Sequence, residues 1–197
     1  MFTWLTKHKD SYFIWLVIIL FFLGLYGIVN HLTIDRHIIP FILGEEKIPF
    51  LPWTFLIYLS IFLQYFVVIR HIPHSVLGKL FSQFLWIIGI SLVLYIVFPI
   101  EYPRDLYMSN NFFVTVLRSI DAPGNCFPSL HVIETVFMAA CYSYIETKTW
   151  YKVLMWIWTT LIIISVLTTK QHYLVDIFGG ILLVTPFLFI IKKDLSH

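Results

Sequence analysis

The sequence predicts an all-α fold, an integral membrane bundle of six transmembrane helices, and three observations predict it. Of the 197 residues, 59% are hydrophobic and 12% are charged, about half the charge of an ordinary soluble domain. Mean hydropathy is +0.86. The apolar residues gather in six runs, each close to the roughly 20 residues that cross about 30 Å of hydrocarbon. This composition excludes disorder, collagen, a coiled coil and a disulfide scaffold. A formal net charge of +2, spread along the chain, leaves no nucleic-acid footprint. Residues 1–197 read as one transmembrane domain.

The first run, Tyr12 to Val29, follows Lys7 and Lys9 and resembles a signal peptide, but it is too long and no small-x-small site follows, so it reads as a retained span. The others are Pro52 to Ile69, Leu80 to Ile100, Ser129 to Ile145, Tyr151 to Thr169 and Tyr173 to Ile191. All are apolar nearly all round, which weakens helical periodicity, and none alternates as a β-barrel strand would. With both termini in the cytoplasm, Lys7, Lys9, Arg70, Lys79, Lys148, Lys152, Lys192 and Lys193 face inward, eight of the thirteen Lys and Arg. That agrees with the positive-inside rule and predicts an integral plasma (inner) membrane protein, multi-pass in the bilayer. Cys126 and Cys141, fifteen residues apart on mostly helical chain, stand about 20 Å apart, too far to bond. Two longer outer segments remain, His31 to Leu51 and Glu101 to Pro128. Long ordered loops are disproportionately functional.

Ionisable residues are costly at membrane depth and mark function or paired structure. Here they gather at the outer ends of the last four spans: Arg104 after the third, His131 opening the fourth, Lys170 closing the fifth, His172 and Asp176 opening the sixth. His172 and Asp176 are four apart and share a helix face, so the carboxylate can fix the imidazole tautomer and leave the other nitrogen as nucleophile or base. The bland alternative is a satisfied intramembrane polar pair. Pro128 suits a first helical position, which would aim the amides of Ser129, Leu130 and His131 outward as an anion site. Arg104 and Lys170 would add cationic charge suited to a phosphate. Arg118 and Asp121 read as loop structure, with a headgroup contact as the sharper alternative.

Pro128-Ser129-Leu130-His131, followed by His172-x3-Asp176 before Gly179-Gly180, resembles the type-2 phosphatidic acid phosphatase superfamily of lipid phosphatases and phosphotransferases. The likeness covers about Pro99 to Gly180. Its usual motifs are Lys-x6-Arg-Pro, Pro-Ser-Gly-His and Ser-Arg-x5-His-x3-Asp. This chain has Val97 at the lysine position, Asp105 at the proline, Leu130 at the glycine and Val166 at the second arginine, while Ser165 is kept. In these departures it looks more like the branch of inositol phosphorylceramide synthase-like proteins and their bacterial relatives.

The resemblance implies that His172 attacks phosphorus to form a phosphohistidine, that Asp176 orients it, and that His131 protonates the leaving alcohol. Arg104, Lys170, Ser129 and Leu130 would hold the phosphate, with Lys170 standing in for the arginine lost at Val166. No cofactor and no metal are implied. The implied partner is a phosphorylated lipid substrate in the bilayer: phosphatidic acid, a phosphatidylglycerol phosphate or a polyprenyl diphosphate, with the site on the outer (periplasmic) face. Transfer to a lipid or polyol acceptor is the nearest alternative. Two remoter ones are a metal enzyme using His131, Glu134, His172 and Asp176, and a small carrier.

Overall fold

All six apolar runs fold as helix. The computed structural model describes residues 3–33, 35–107, 109–120 and 123–195; Asp121 and His197 lie outside them. The helices are α1 (Thr3–Leu32), α2 (Phe55–Leu59), α3 (Ile61–Ile69), α4 (His74–Val97), α5 (Phe112–Ile120), α6 (Leu130–Ile145), α7 (Thr149–Thr168) and α8 (Leu174–Leu195). The second run is a 3₁₀ turn, Pro52–Thr54, continued by α2 and α3, which meet at Ser60. Four stretches, Pro52–Ile69, His74–Val97, Thr149–Thr168 and Leu174–Leu195, are long and apolar enough to cross a membrane by length and composition.

The shorter α6, 16 residues long, is the central element. Every side chain from Val132 to Tyr142 is buried, and α6 packs against α8, α7 and α3. A helix enclosed by others need not meet lipid, so it needs neither full span length nor an apolar outer face. Leu63, Trp86, Val93, Leu154, Leu182 and Phe189 of the surrounding helices are exposed, the pattern of an apolar shell facing hydrocarbon. One buried polar knot ties the layers. Gln64 donates to Thr159 (2.9 Å) and accepts from Thr135 (2.8 Å), joining α3, α6 and α7. Cys126 and Cys141 are both free.

The two outer segments converge on one end of the bundle. His37 and Ile100 form an isolated β-bridge, the Leu51 N–H donates to Thr168 at the end of α7, and the Cys126 N–H donates to Ile100. The second segment is folded where the sequence reads only as loop. It holds a 3₁₀ turn, Arg104–Tyr107, and α5. At nine residues α5 is too short to register as a span, and Val116 seats it on the cluster of Phe55, Tyr58 and Val166. At the opposite end, Lys79 of α4 pairs with Asp194 of α8 at 3.2 Å.

Candidate active site

The site grows from the junction of α6 and α8. Ser129 is the N-cap of α6 and Leu130 its first helical residue, so Pro128 stands two positions further out than the sequence reading places it. The Phe127–Pro128 peptide is cis. The Ser129 N–H donates to the Asp176 carbonyl at 3.0 Å, so this amide is not aimed at an anion, and any such role falls to Leu130 and His131. Small residues make this approach possible. A Cβ on Gly180 would lie 2.9 Å from the Ser129 carbonyl oxygen, and one on Gly179 would lie 2.4 Å from the Phe127 ring. The glycine pair lets α8 pack directly on the loop that opens α6.

At the start of α8, His172 and Asp176 meet as their spacing predicts, with an unforeseen third partner. His172 Nδ1 lies 2.9 Å from the Cys126 carbonyl and 3.2 Å from Asp176 Oδ2. A carbonyl only accepts, so Nδ1 carries the proton and the lone pair is on Nε2. Asp176 is held in turn. Its Oδ2 accepts the Tyr173 N–H at 2.8 Å, the third helical residue reaching back to the cap as in half of a capping box. Glu45, from the first outer segment, accepts the Leu174 N–H at 2.7 Å and is itself buried. Two carboxylates therefore sit at the positive end of the α8 dipole.

His131 and His172 line one cavity of about 550 Å³, enclosed by α1, α2, α3, α4 and α6. The wall is mainly apolar, with Leu23, Phe62 and Phe84, and its polar members include Tyr58, Tyr65, Asn125 and Glu134. Tyr58 stacks on His131 with ring centroids 3.8 Å apart, fixing the plane of the imidazole. Val166, at the position where the resembled motif carries arginine, is fully buried against Phe55 and Tyr58. Leu130 lines the cavity as well; Ser129 is wholly buried behind it.

The two cations are placed differently, and neither is among the residues that line the histidine cavity. Arg104 is buried on the rim of a second cavity of about 640 Å³ among the outer segments. Its turn is stapled by Arg118, whose guanidinium donates to the carbonyls of Arg104 and Tyr107, each at 2.8 Å. That is the loop-structural role. Lys170 ends α7 in a Schellman motif: its N–H donates to Leu167, the Gln171 N–H donates to Val166, and Lys170 itself has φ +56°, a conformation that favours glycine. The bend turns its side chain inward, where the ammonium lies 4.6 Å from the centre of the Tyr107 ring. Burial lowers the Lys170 pKa, opposed by Glu45 and Glu46. Burial raises the pKa of Glu45, against the Leu174 hydrogen bond.

The metal reading changes its residues. Cys126, His172 and Asp176 offer ligand atoms within 4.8 Å of one another, with neither His131 nor Glu134 in the group. These atoms already have partners: the Cys126 thiol donates to Pro123, and Asp176 Oδ2 accepts from Tyr173 and faces His172. The fit to a cation is poor.

The bundle combines membrane-length apolar helices with a histidine–aspartate pair and a second histidine on one cavity at one end. The sequence matches the PAP2 superfamily over residues 50–189, and the chain belongs to that superfamily. Membership suggests an activity of phosphatase or phosphotransferase type at a membrane. No curated protein and no solved structure matches the chain.

Proposed function

We propose that the protein is a six-span membrane lipid phosphatase, independent of metal, that hydrolyses a phosphomonoester or diphosphate lipid through a phosphohistidine. The observation that carries this reading is the double acceptor on His172 Nδ1, which directs the Nε2 lone pair away from Asp176 while the ring lines a cavity shared with His131. Nε2 attacks phosphorus and the ester P–O bond breaks. His131 gives its proton to the leaving alcohol, then takes one from the water that releases phosphate. Asp176 and the Cys126 carbonyl steady the imidazolium character of the phosphorylated ring. The amides of Leu130 and His131 face the phosphoryl oxygens, and Arg104 and Lys170 add charge from the turn and helix end beside α8.

Both termini lie in the cytoplasm and the site opens to the outer face, because Arg70, Lys79, Lys148, Lys152, Lys192 and Lys193 gather at the opposite end. Phosphatidic acid, a phosphatidylglycerol phosphate and a polyprenyl diphosphate are the substrates to test. Transfer to a lipid or polyol acceptor is the second reading, favoured by Leu130 and Val166 at their motif positions. Purified protein in detergent and excess chelator should release phosphate from one of these lipids, and His172→Ala and His131→Ala should abolish release. Activity that chelator removes would overturn the metal-free mechanism. Label moving to an added alcohol without free phosphate would establish transfer.

A further inference from the structure

The Ile42–Glu45 turn of the first outer segment lies before the residues that match the family, and its tip is strained and exposed. The Glu45 N–H donates to the Ile42 carbonyl at 3.0 Å, and both central residues have positive φ, +53° at Leu43 and +74° at Gly44. Turns of this hand are ordinarily filled by glycine, asparagine or aspartate. Here the first central place holds a leucine, 82% exposed, next to an exposed Ile42. A bulky apolar side chain kept where the backbone disfavours it is kept for what it touches.

An anchor on each side holds this tip out. Phe41 packs inward on Tyr102 and Tyr173, with ring centroids 6.0 and 5.7 Å away, and Glu45 turns inward to the Leu174 N–H. The base between them has a defined height. Glu45 is bonded to the first residue of α8 and the Leu51 N–H to the last residue of α7, so the chain from 45 to 51 runs level with the ends of two membrane-length helices. The 20 residues of α7 rise about 30 Å, the thickness of the hydrocarbon. Two residues of chain carry Leu43 at most about 7 Å from Glu45, within the zone where interfacial side chains sit. Trp53, at the start of the Pro52–Ile69 stretch, is exposed too and is a residue type that favours this boundary. Glu46 and Lys47 are exposed and cancel in charge, so apolar contact, and not headgroup attraction, must supply the binding.

We propose that the Ile42–Leu43 turn inserts into the lipid leaflet at the His172 end of the bundle, and that its two anchors, on Tyr173 and Leu174, tie this insertion to the start of α8. The proposal needs a membrane-resident bundle and does not depend on the phosphatase reading.

Both native cysteines are buried, so Leu43→Cys can carry a single small fluorophore on the full chain in phosphatidylcholine vesicles. Quenchers on shallow acyl-chain positions should remove about half of its emission or more, and aqueous iodide should remove little. Emission lost to iodide and not to the lipid quenchers would overturn the proposal. Stoichiometric disulfide dimers of unlabelled Leu43→Cys would seat a second copy on the tip and overturn it too. The tie to α8 is read by hydrogen exchange. Ile42→Ser with Leu43→Asn removes the apolar tip while asparagine suits the turn, so the melting temperature should hold. In vesicles the amides of Tyr173 and Leu174 should exchange about tenfold faster in this variant than in the wild-type chain, with α7 unchanged. Equal exchange at these two amides would overturn the tie. Should the double variant fail to fold, Leu43→Asn alone carries the same comparison.

Discussion

The two ends of the bundle are built from the same kinds of residue and hold them in opposite ways. At one end, the Lys79 side chain that pairs with Asp194 is 63% exposed. At the His172 end, Arg104, Lys170, Glu45 and Asp176 are all buried, and many of the bonds that fix them run to backbone from distant parts of the chain. The Tyr95 hydroxyl donates to Pro128 and the Tyr173 hydroxyl to Glu101. A charge in water can be replaced at little loss, whereas a buried one leaves its partners stranded. The contrast separates an end whose charge can vary from one that must hold a geometry.

Substitutions can break or sharpen that contrast. The largest effect should come from His172→Ala, which removes the proposed nucleophilic nitrogen and should lower turnover at least about 10³-fold. Asp176→Asn should lose less, because the Cys126 carbonyl still holds the Nδ1 proton; an equal loss would show that the carbonyl does not fix the tautomer. Gly180→Ala drives a methyl against the Ser129 carbonyl and should destabilise by about 1–3 kcal/mol in thermal or denaturant melts.

Glu45→Gln tests the same end through pH. Burial raises the Glu45 pKa, so the folded chain holds this proton more tightly than the unfolded chain. The stability it contributes is therefore full below the ordinary carboxylate value of about 4.3 and is lost as pH rises through the raised value. Melting curves should show that slope in the wild-type protein and a flatter one in Glu45→Gln. The smallest effect belongs to the other end: Lys79→Ala should change stability by less than about 1 kcal/mol and leave turnover unaltered.

Hydropathy made the helices legible, since six apolar runs of the right length leave little choice of fold. The His172–Asp176 pair was legible because helical spacing alone brings residues four apart together. What stayed hidden was mostly backbone. The Cys126 carbonyl leaves no trace in residue type, and the loss of the Ser129 amide to Asp176 depends on how closely two glycines let α8 approach. Glu45 reads as one more loop acid until folding carries it across 129 residues to Leu174. The place of Arg104 on a second cavity depends on a 3₁₀ turn and a nine-residue helix that hydropathy does not register.

Glu45 also makes the first outer segment part of the helix that bears His172. Lengthening or trimming the chain between α1 and Pro52 would tug on the amide that opens α8, so this segment cannot drift as surface loops usually do. A change there would be felt as a shift in the placement of the His172 imidazole.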